Sequence, residues 1–183
     1  MSTIRGPAIF LGQFVGEEPP FDTLDHMADW ASGLGYEGVQ LPAWEPSVID
    51  LEEAARSVSY CDDLRGRLDE HGIEPTELGA FLAGQMLALH PAYTTIFDGL
   101  YPVGLSNEER VAWAEARLER SVRAASNLDL NVVPTLSGGT AWPFVYPWPQ
   151  RPEGLIEEAF GELADRWRPV LDLAAEHEIR IAY

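Results

Sequence analysis

The chain has 183 residues, with 30 acidic side chains against 12 basic ones and a net charge of −18 at neutral pH. This length suits one sizeable core, and the 46% hydrophobic content argues against a disordered chain. The negative charge repels nucleic-acid phosphates, so we expect no nucleic-acid partner. No apolar run approaches the roughly 18 residues of a membrane helix, and Cys61 has no second cysteine to pair with. We therefore expect a cytoplasmic protein without a membrane partner.

All the basic residues are arginine, and the sequence contains no lysine. Two explanations fit this composition. A GC-rich genome favours arginine codons over lysine codons. Adaptation to a salty cytoplasm would instead screen the repulsion among the acidic side chains.

Short apolar runs, separated by long amphipathic ones, predict β-strands along the whole chain. The first run is almost continuously apolar, which is typical of a strand buried in a parallel sheet. The predicted strands cover residues 8–14, 38–42, 75–81, 131–136 and 179–183.

The runs between these strands have the spacing of amphipathic helices. We expect Asp22 to cap the first helix with Asp25 as its capping-box partner, and Gly35 to end that helix. Ser106 and Glu109 predict a capping box for a helix over 106–128. The apolar stripe of the first helix is expected at Leu24, Met27, Ala28, Ala31 and Leu34. Further helical segments are predicted at residues 50–56, 62–71 and 152–177.

The connections on the two sides of the predicted sheet differ. Those from helix to strand are very short, whereas those from strand to helix are long and aromatic, above all 82–105 and 137–151. This asymmetry predicts a ligand site at the carboxyl ends of parallel strands. Four strand–helix units and a fifth strand equal half of an eight-stranded βα barrel, so we expect a single α/β domain, 1–183, that is a partial barrel. An open doubly wound sheet would place its ligands at the same strand ends.

Several segments, taken in order, carry a family resemblance. They are Phe10-Leu11-Gly12-Gln13-Phe14 and residues 35–44, 59–61, 82–85, 136–142, 166–172 and 179–183. On these segments the chain resembles the amino-terminal half of a sugar phosphate isomerase/epimerase of the xylose-isomerase-like TIM-barrel superfamily. The match covers nearly the whole chain and is weakest in the loops.

The resemblance implies metal-dependent isomerisation or epimerisation of a sugar or polyol by proton transfer. In the family, carboxylates and a histidine of strands five to eight hold a divalent metal (Mn, Mg, Zn or Co), and two glutamates act as acid and base. The first of those glutamates would directly follow Tyr183. We therefore expect the chain to stop at the fifth strand, to bind no metal alone and to be inactive alone. Many relatives also have a histidine after strand three, where this sequence has Phe81.

Six residues near the predicted strand ends are candidates for binding a sugar or polyol. Amides and hydroxyls match the donors and acceptors of a polyol, and an indole can stack on its C–H face. An amide inside an apolar strand, such as Gln13, also requires a polar partner. The alternative for Trp44 and Trp142 is that they only pack the barrel mouth. The candidates are Gln13, Gln40, Trp44, Gln85, Ser137 and Trp142.

Two further patterns have a simple and a functional explanation. Residues 137–140, Ser-Gly-Gly-Thr, fit either a backbone nest for phosphate or, more commonly, a turn. His26 lies among Asp22, Asp25 and Asp29, which resembles a metal cluster but is better explained by capping.

A cysteine, a histidine and a row of charges remain to be interpreted. Cys61 has no histidine near it in sequence and is expected to be buried rather than nucleophilic. His90, in the long loop after strand three, is the histidine expected nearest the active face. The helix over 106–128 alternates glutamate and arginine at i,i+3 and i,i+4 spacing, which predicts an exposed, ion-paired face.

Two other classes of function stay open beside the enzyme. Some members of the superfamily cut DNA at abasic sites, but that activity needs a basic groove, which a net charge of −18 disfavours. The other class is a non-catalytic subunit or binding module. Unpaired first and fifth strands would allow such a half-barrel to pair with a second copy or with a complementary half.

Overall fold

The computed structural model describes residues 6–141, 144, 148 and 150–183, and in these ranges strands alternate with helices. The strands are β1 (Ala8–Phe10), β2 (Gly38–Pro42), β3 (Glu74–Gly79), β4 (Val132–Pro134) and β5 (Arg180–Ala182). The α-helices are α1 (Leu24–Gly33), α2 (Leu51–Arg56), α3 (Val58–Asp69), α4 (Phe81–Leu87), α5 (Asn107–Asn127) and α6 (Leu155–Glu176). Two 3₁₀ segments, Leu11–Gln13 and Pro91–Leu100, follow β1 and α4. None of the described helices combines the length and apolarity needed to cross a membrane.

The strands lie side by side in chain order, and every pairing among the described residues is parallel. β1 pairs with β2 and β2 with β3, while β4 pairs with β5. The two groups meet at the end of β3, where the Ala80 N–H donates to the Pro134 carbonyl oxygen (2.8 Å). At the same place, Thr135 Oγ1 donates to the Ala80 carbonyl oxygen (3.0 Å). This order and direction are those of consecutive units of a βα barrel.

The register gives the sheet two different faces. Val39, Leu41 and Leu78 are fully buried and share one hydrophobic core with the helices. The opposite face carries Phe10, Gln40 and Glu77, which are paired partners in the register and therefore point the same way. We call this second face the inner face, because the helices cover the other one.

The first strand is shorter than predicted. β1 ends at Phe10, and residues 11–13 form a 3₁₀ turn instead of continuing the strand to Phe14. A Cβ on Gly12 would lie 2.5 Å from Cζ of Phe10, so any larger residue here would have to displace the Phe10 ring. Gln13 consequently lies past the strand and is exposed.

The segment after β3 also differs from the prediction, which extended the strand to Phe81 and left 82–105 as a loop. β3 ends at Gly79, and Phe81 begins α4. The Ala80 N–H is used by β4, so the chain leaves β2 and turns into a helix whose apolar residues pack in the core. The 3₁₀ segment that follows is tied to α5 by Arg110, whose Nη1 lies 2.7 Å from Asp98 Oδ1.

The helix ends show which local signals are reliable. The capping box at Ser106 and Glu109 is confirmed, with Glu109 Oε2 accepting from the Ser106 N–H at 2.7 Å. Thr23, not Asp22, caps α1, because the Asp22 carboxylate instead lies 2.7 Å from His26 Nδ1. Leu34 follows the end of α1 and is 62% exposed, so it is not part of the buried stripe.

Two helical glycines test how closely α4 packs on the end of β4. A Cβ on Gly84 would overlap Thr135 Oγ1 and the Leu136 carbonyl oxygen, whereas one on Gly66 in α3 meets nothing within 4 Å. Gly84→Ala should lower the free energy of unfolding by about 1–3 kcal/mol through overpacking. Gly66→Ala, the control, should raise it by roughly 0.5–1 kcal/mol through helix propensity. Urea unfolding followed by circular dichroism measures both, and equal effects would contradict the close contact.

Candidate active site

The carboxyl ends of β1, β2 and β3 carry an aromatic cluster on the inner face. The rings of Phe10, Trp44 and Phe81 contact one another edge to face, with centroids 5.6–6.0 Å apart. Such pairs stabilise beyond the area that they bury. Trp44 therefore packs against two neighbouring rings and also presents an aromatic ring at the strand ends, which agrees with either of its predicted roles.

A polar pair lies beside this cluster. Gln40 Nε2 in β2 donates a short hydrogen bond to Glu77 Oε2 in β3, and both side chains are partly buried. A Cβ on the neighbouring Gly79 would lie 3.3 Å from Gln40 Oε1, so the glycine leaves room for the amide. The pair offers carboxylate and amide oxygens as acceptors and an amide N–H as donor, which are the groups that recognise hydroxyls.

Glu77 is a site residue that the sequence reasoning missed. Its signal was present, since Glu77 is a charged residue in a strand whose neighbours Pro75 and Leu78 are buried. A carboxylate in such a strand needs a hydrogen-bonding partner. The partner, Gln40, is distant in sequence and was identified only as a separate candidate.

Gln85 and Ser137 lie together near the end of β4, apart from the aromatic cluster. Gly138 adopts φ +70°, and a Cβ there would lie 2.8–3.0 Å from carbonyl oxygens of residues 84, 85 and 88. The Nε2 atom of Gln85 is buried and has no hydrogen-bond partner among the described residues. A buried amide N–H of this kind calls for a water or a polar ligand.

In the loop 137–140, Gly139 forms a parallel bridge with Leu89 and its backbone groups are engaged by neighbouring segments. The Gly139 N–H donates to the Ala88 carbonyl oxygen (2.6 Å), and Trp167 Nε1 donates to the Ser137 carbonyl oxygen (2.8 Å). The Ser137 hydroxyl donates to the Gly138 carbonyl oxygen (3.0 Å). The Gly139 N–H is thus already used, and carbonyl oxygens surround Gly138, which disfavours an anion at this loop.

The other two candidates do not join either group. The exposed Gln13 makes no hydrogen bond or ring contact with another candidate among the described residues. Trp142 lies outside the described residues.

The acidic and histidine side chains do not gather into a metal centre. No group of three or more histidine, cysteine, aspartate or glutamate side chains in the described ranges is placed to hold a metal ion. Near His26, the acids have separate partners: Arg67 binds Asp25 through both its oxygens (3.0 and 2.9 Å), and His71 lies 3.8 Å from Asp29. His90 Nδ1 accepts a hydrogen bond from the Ala92 N–H (3.1 Å) and caps the 3₁₀ segment.

The arginines of α5 are less exposed than the charge pattern predicted. Arg110, Arg117 and Arg120 are all partly buried, and each contacts a segment outside its own helix. Arg117 Nη2 donates to the Ala43 carbonyl oxygen just past β2 (2.9 Å). The i,i+4 pattern in the sequence therefore does not indicate that Arg117 contacts a segment at the strand ends.

The family model described as xylose isomerase-like TIM barrel matches residues 28–183. The chain belongs to this family, and its resemblance and partial-barrel fold are confirmed. No curated protein sequence matches the chain significantly.

Solved structures agree on the fold. A xylose isomerase domain protein from Planctomyces limnophilus has a TM-score of 0.54 at 19% identity, covering 95% of this chain and 51% of that one. 3-keto-D-glucoside 4-epimerase, YcjR, from E. coli has a TM-score of 0.55 at 15% identity, covering 95% and 53%. D-psicose 3-epimerase from Clostridium cellulolyticum H10 has a TM-score of 0.53 at 11% identity, covering 96% and 50%. The chain thus spans about half the length of these proteins, and at such identities the likeness concerns the fold alone.

Cys61 should be unreactive in the folded protein. The thiol is fully buried, its Sγ–H donates to the Ala54 carbonyl oxygen (3.4 Å), and burial raises its pKa to about 11. The reactive thiolate is therefore scarce at pH 8. We expect a colorimetric thiol reagent to label the native protein very slowly and the urea-unfolded protein at once. Rapid native labelling would contradict the buried, structural role.

Proposed function

We propose that this chain provides the sugar-binding wall of a sugar isomerase/epimerase-like barrel. The observation that carries the proposal is the Gln40–Glu77 pair beside the rings of Phe10, Trp44 and Phe81, on the inner face at the strand ends. Polar groups next to aromatic rings suit a polyol, which has hydroxyls on its edges and C–H groups on its faces. The position agrees with the rule that barrel enzymes bind ligands at strand carboxyl ends.

The reaction that we propose for the complete barrel is isomerisation or epimerisation by proton transfer at the carbon next to a carbonyl. In this reaction Gln40 and Glu77 hold and orient hydroxyls, and the aromatic cluster keeps water away from one side of the sugar. A divalent metal (Mn, Mg, Zn or Co) would polarise the carbonyl. The described residues do not fit such a metal, because their acids and histidines form no common group, so we assign no step to it here.

We further propose that the 183 residues alone do not turn over a sugar. Glu77 is the carboxylate that the strand register places on the inner face beside Gln40, and it is already hydrogen-bonded to that residue. Proton transfer between two faces of a carbon needs an acid–base pair. The net charge of −18 and the single cysteine support a cytoplasmic protein that acts on small molecules rather than on DNA or membranes.

Sugar binding to the inner face can be tested by saturation-transfer NMR with ketoses and aldoses. Glu77→Gln should weaken binding about tenfold, because a hydrogen bond to a carboxylate is replaced by a neutral one. Glu70→Gln, which removes the same charge from an exposed site after α3, is the matched control and should leave binding unchanged. Sugar binding that Glu77→Gln does not alter would contradict the assigned site, and no binding by any sugar would favour a different binding module.

Turnover is tested separately by solvent deuterium incorporation. The chain is incubated with Mn²⁺ and each sugar in D₂O, and the carbon-bound deuterium is measured by NMR. We expect none above a protein-free control, because the described residues supply no acid–base pair. Incorporation by the 183-residue chain would show that the catalytic groups have been misplaced.

A further inference from the structure

A cavity separate from the inner face lies near the strand ends, between α4, α5 and the residues that follow β2. Its volume is about 300 Å³, the lower end of the range of small-molecule pockets. The side chains that define it here are Trp44, Leu82, Met86, Leu100, Trp113 and Arg117. Gln40 and Glu77 of the inner face do not line it. We call this cavity the Arg117 pocket.

Arg117 is the charged residue of this pocket, and it has spare hydrogen-bonding capacity. One of its five N–H groups donates to the Ala43 carbonyl oxygen (2.9 Å), and its guanidinium carbon lies 5.2 Å from the Trp113 ring centroid. No other hydrogen bond from this guanidinium reaches a described residue. The group is therefore oriented by a carbonyl and a ring while several donors stay available.

The missing carboxylate partner is unusual in this chain. Among the described arginines that are not exposed, Arg117 alone has no carboxylate oxygen within 4.0 Å; the others pair with acids, as Arg120 does with Glu52 (2.7 Å). Glu52, whose negative charge partly compensates Arg117, is also engaged by Arg56 (3.2 Å). In a protein with 30 acids, a partly buried guanidinium without a carboxylate partner is a candidate for binding an external anion.

Burial makes the unpaired charge costly. It lowers the pKa of the Arg117 guanidinium, and the nearby charge of Arg120 acts in the same direction. The negative charge of Glu52 acts in the opposite direction, and an anion in the pocket would add to that opposing effect. The direction of the pKa change thus agrees with what the geometry indicates.

The lining selects the kind of anion. The walls are indole rings and aliphatic side chains, and the Ser121 hydroxyl already donates to the Arg117 carbonyl oxygen (2.9 Å). A carboxylate matches the planar fork of a guanidinium, and a flat ring matches the indoles.

We propose that the Arg117 pocket binds a small monocarboxylate with an aromatic body. Its carboxylate pairs with the Arg117 guanidinium, and its ring contacts Trp44 and Trp113. This site is distinct from the sugar-binding face, since it uses a different set of polar groups.

Benzoate and its neutral isostere benzamide test the proposal by titration calorimetry on the whole chain. Benzoate should bind saturably and benzamide at least about tenfold more weakly, since only the carboxylate forms charged hydrogen bonds. Arg117→Gln should weaken benzoate binding by about tenfold or more. Arg123→Gln, the same charge change at an exposed position of α5, is the matched control and should change it less than twofold.

The wild-type protein provides a readout that does not depend on a variant folding. Benzoate should shift the Nε–H resonance of Arg117 in a saturable way; the resonance is assigned by its absence from the spectrum of the lysine variant Arg117→Lys. Equal binding of benzoate and benzamide, an unmoved Arg117 resonance, or unchanged affinity in Arg117→Gln would overturn the proposal. Tighter binding of inorganic phosphate than of benzoate would overturn the ligand class. Glu77→Gln should leave benzoate binding intact, which separates this site from the proposed sugar site.

Discussion

The contact of α4 with the end of β4 joins the two parts of the sheet. Thr135 donates to the Ala80 carbonyl oxygen, and the Gly84 backbone lies so close to Thr135 that no side chain fits between them. Since β1–β3 and β4–β5 form separate hydrogen-bonded groups, this junction continues the strand order from one group to the next. Gln85, the residue after Gly84 in α4, has an amide nitrogen that is buried without a partner among the described residues.

Local signals in the sequence predicted some elements well. Residues 38–42 form β2 as predicted, and the Ser106 capping box begins α5, because a short apolar run and a capping box are both patterns of adjacent residues. The predicted carboxyl ends of β1 and β3 were wrong, and the reason is different. The Phe10 ring over Gly12 and the hydrogen bond from Ala80 to β4 are tertiary contacts, and an apolar run fits a strand or a buried helix equally well.

The candidate site shows the same division. Gln40 and Trp44 follow directly from their place at the end of a strand. Glu77 and Arg117 depend on partners far away in the chain, and in the sequence they resemble an ordinary strand acid and an ordinary helix-face base. Periodicity places a residue on a face of its own element, but it does not say which loop crosses that face. The candidate residues that the sequence did not identify, Glu77 and Arg117, are those whose partners come from a distant segment of the chain.

Trp44 is the physical link between the two proposed sites. Its ring is held edge to face by Phe10 and Phe81 on the inner face, and it also lines the Arg117 pocket. A ligand in one site affects affinity in the other only if it favours a different position of this ring, because coupling requires a difference in contacts between two states. Two ring contacts near 6 Å restrict such movement. The geometry therefore favours two sites that bind independently, one matched to hydroxyls and the other to a carboxylate.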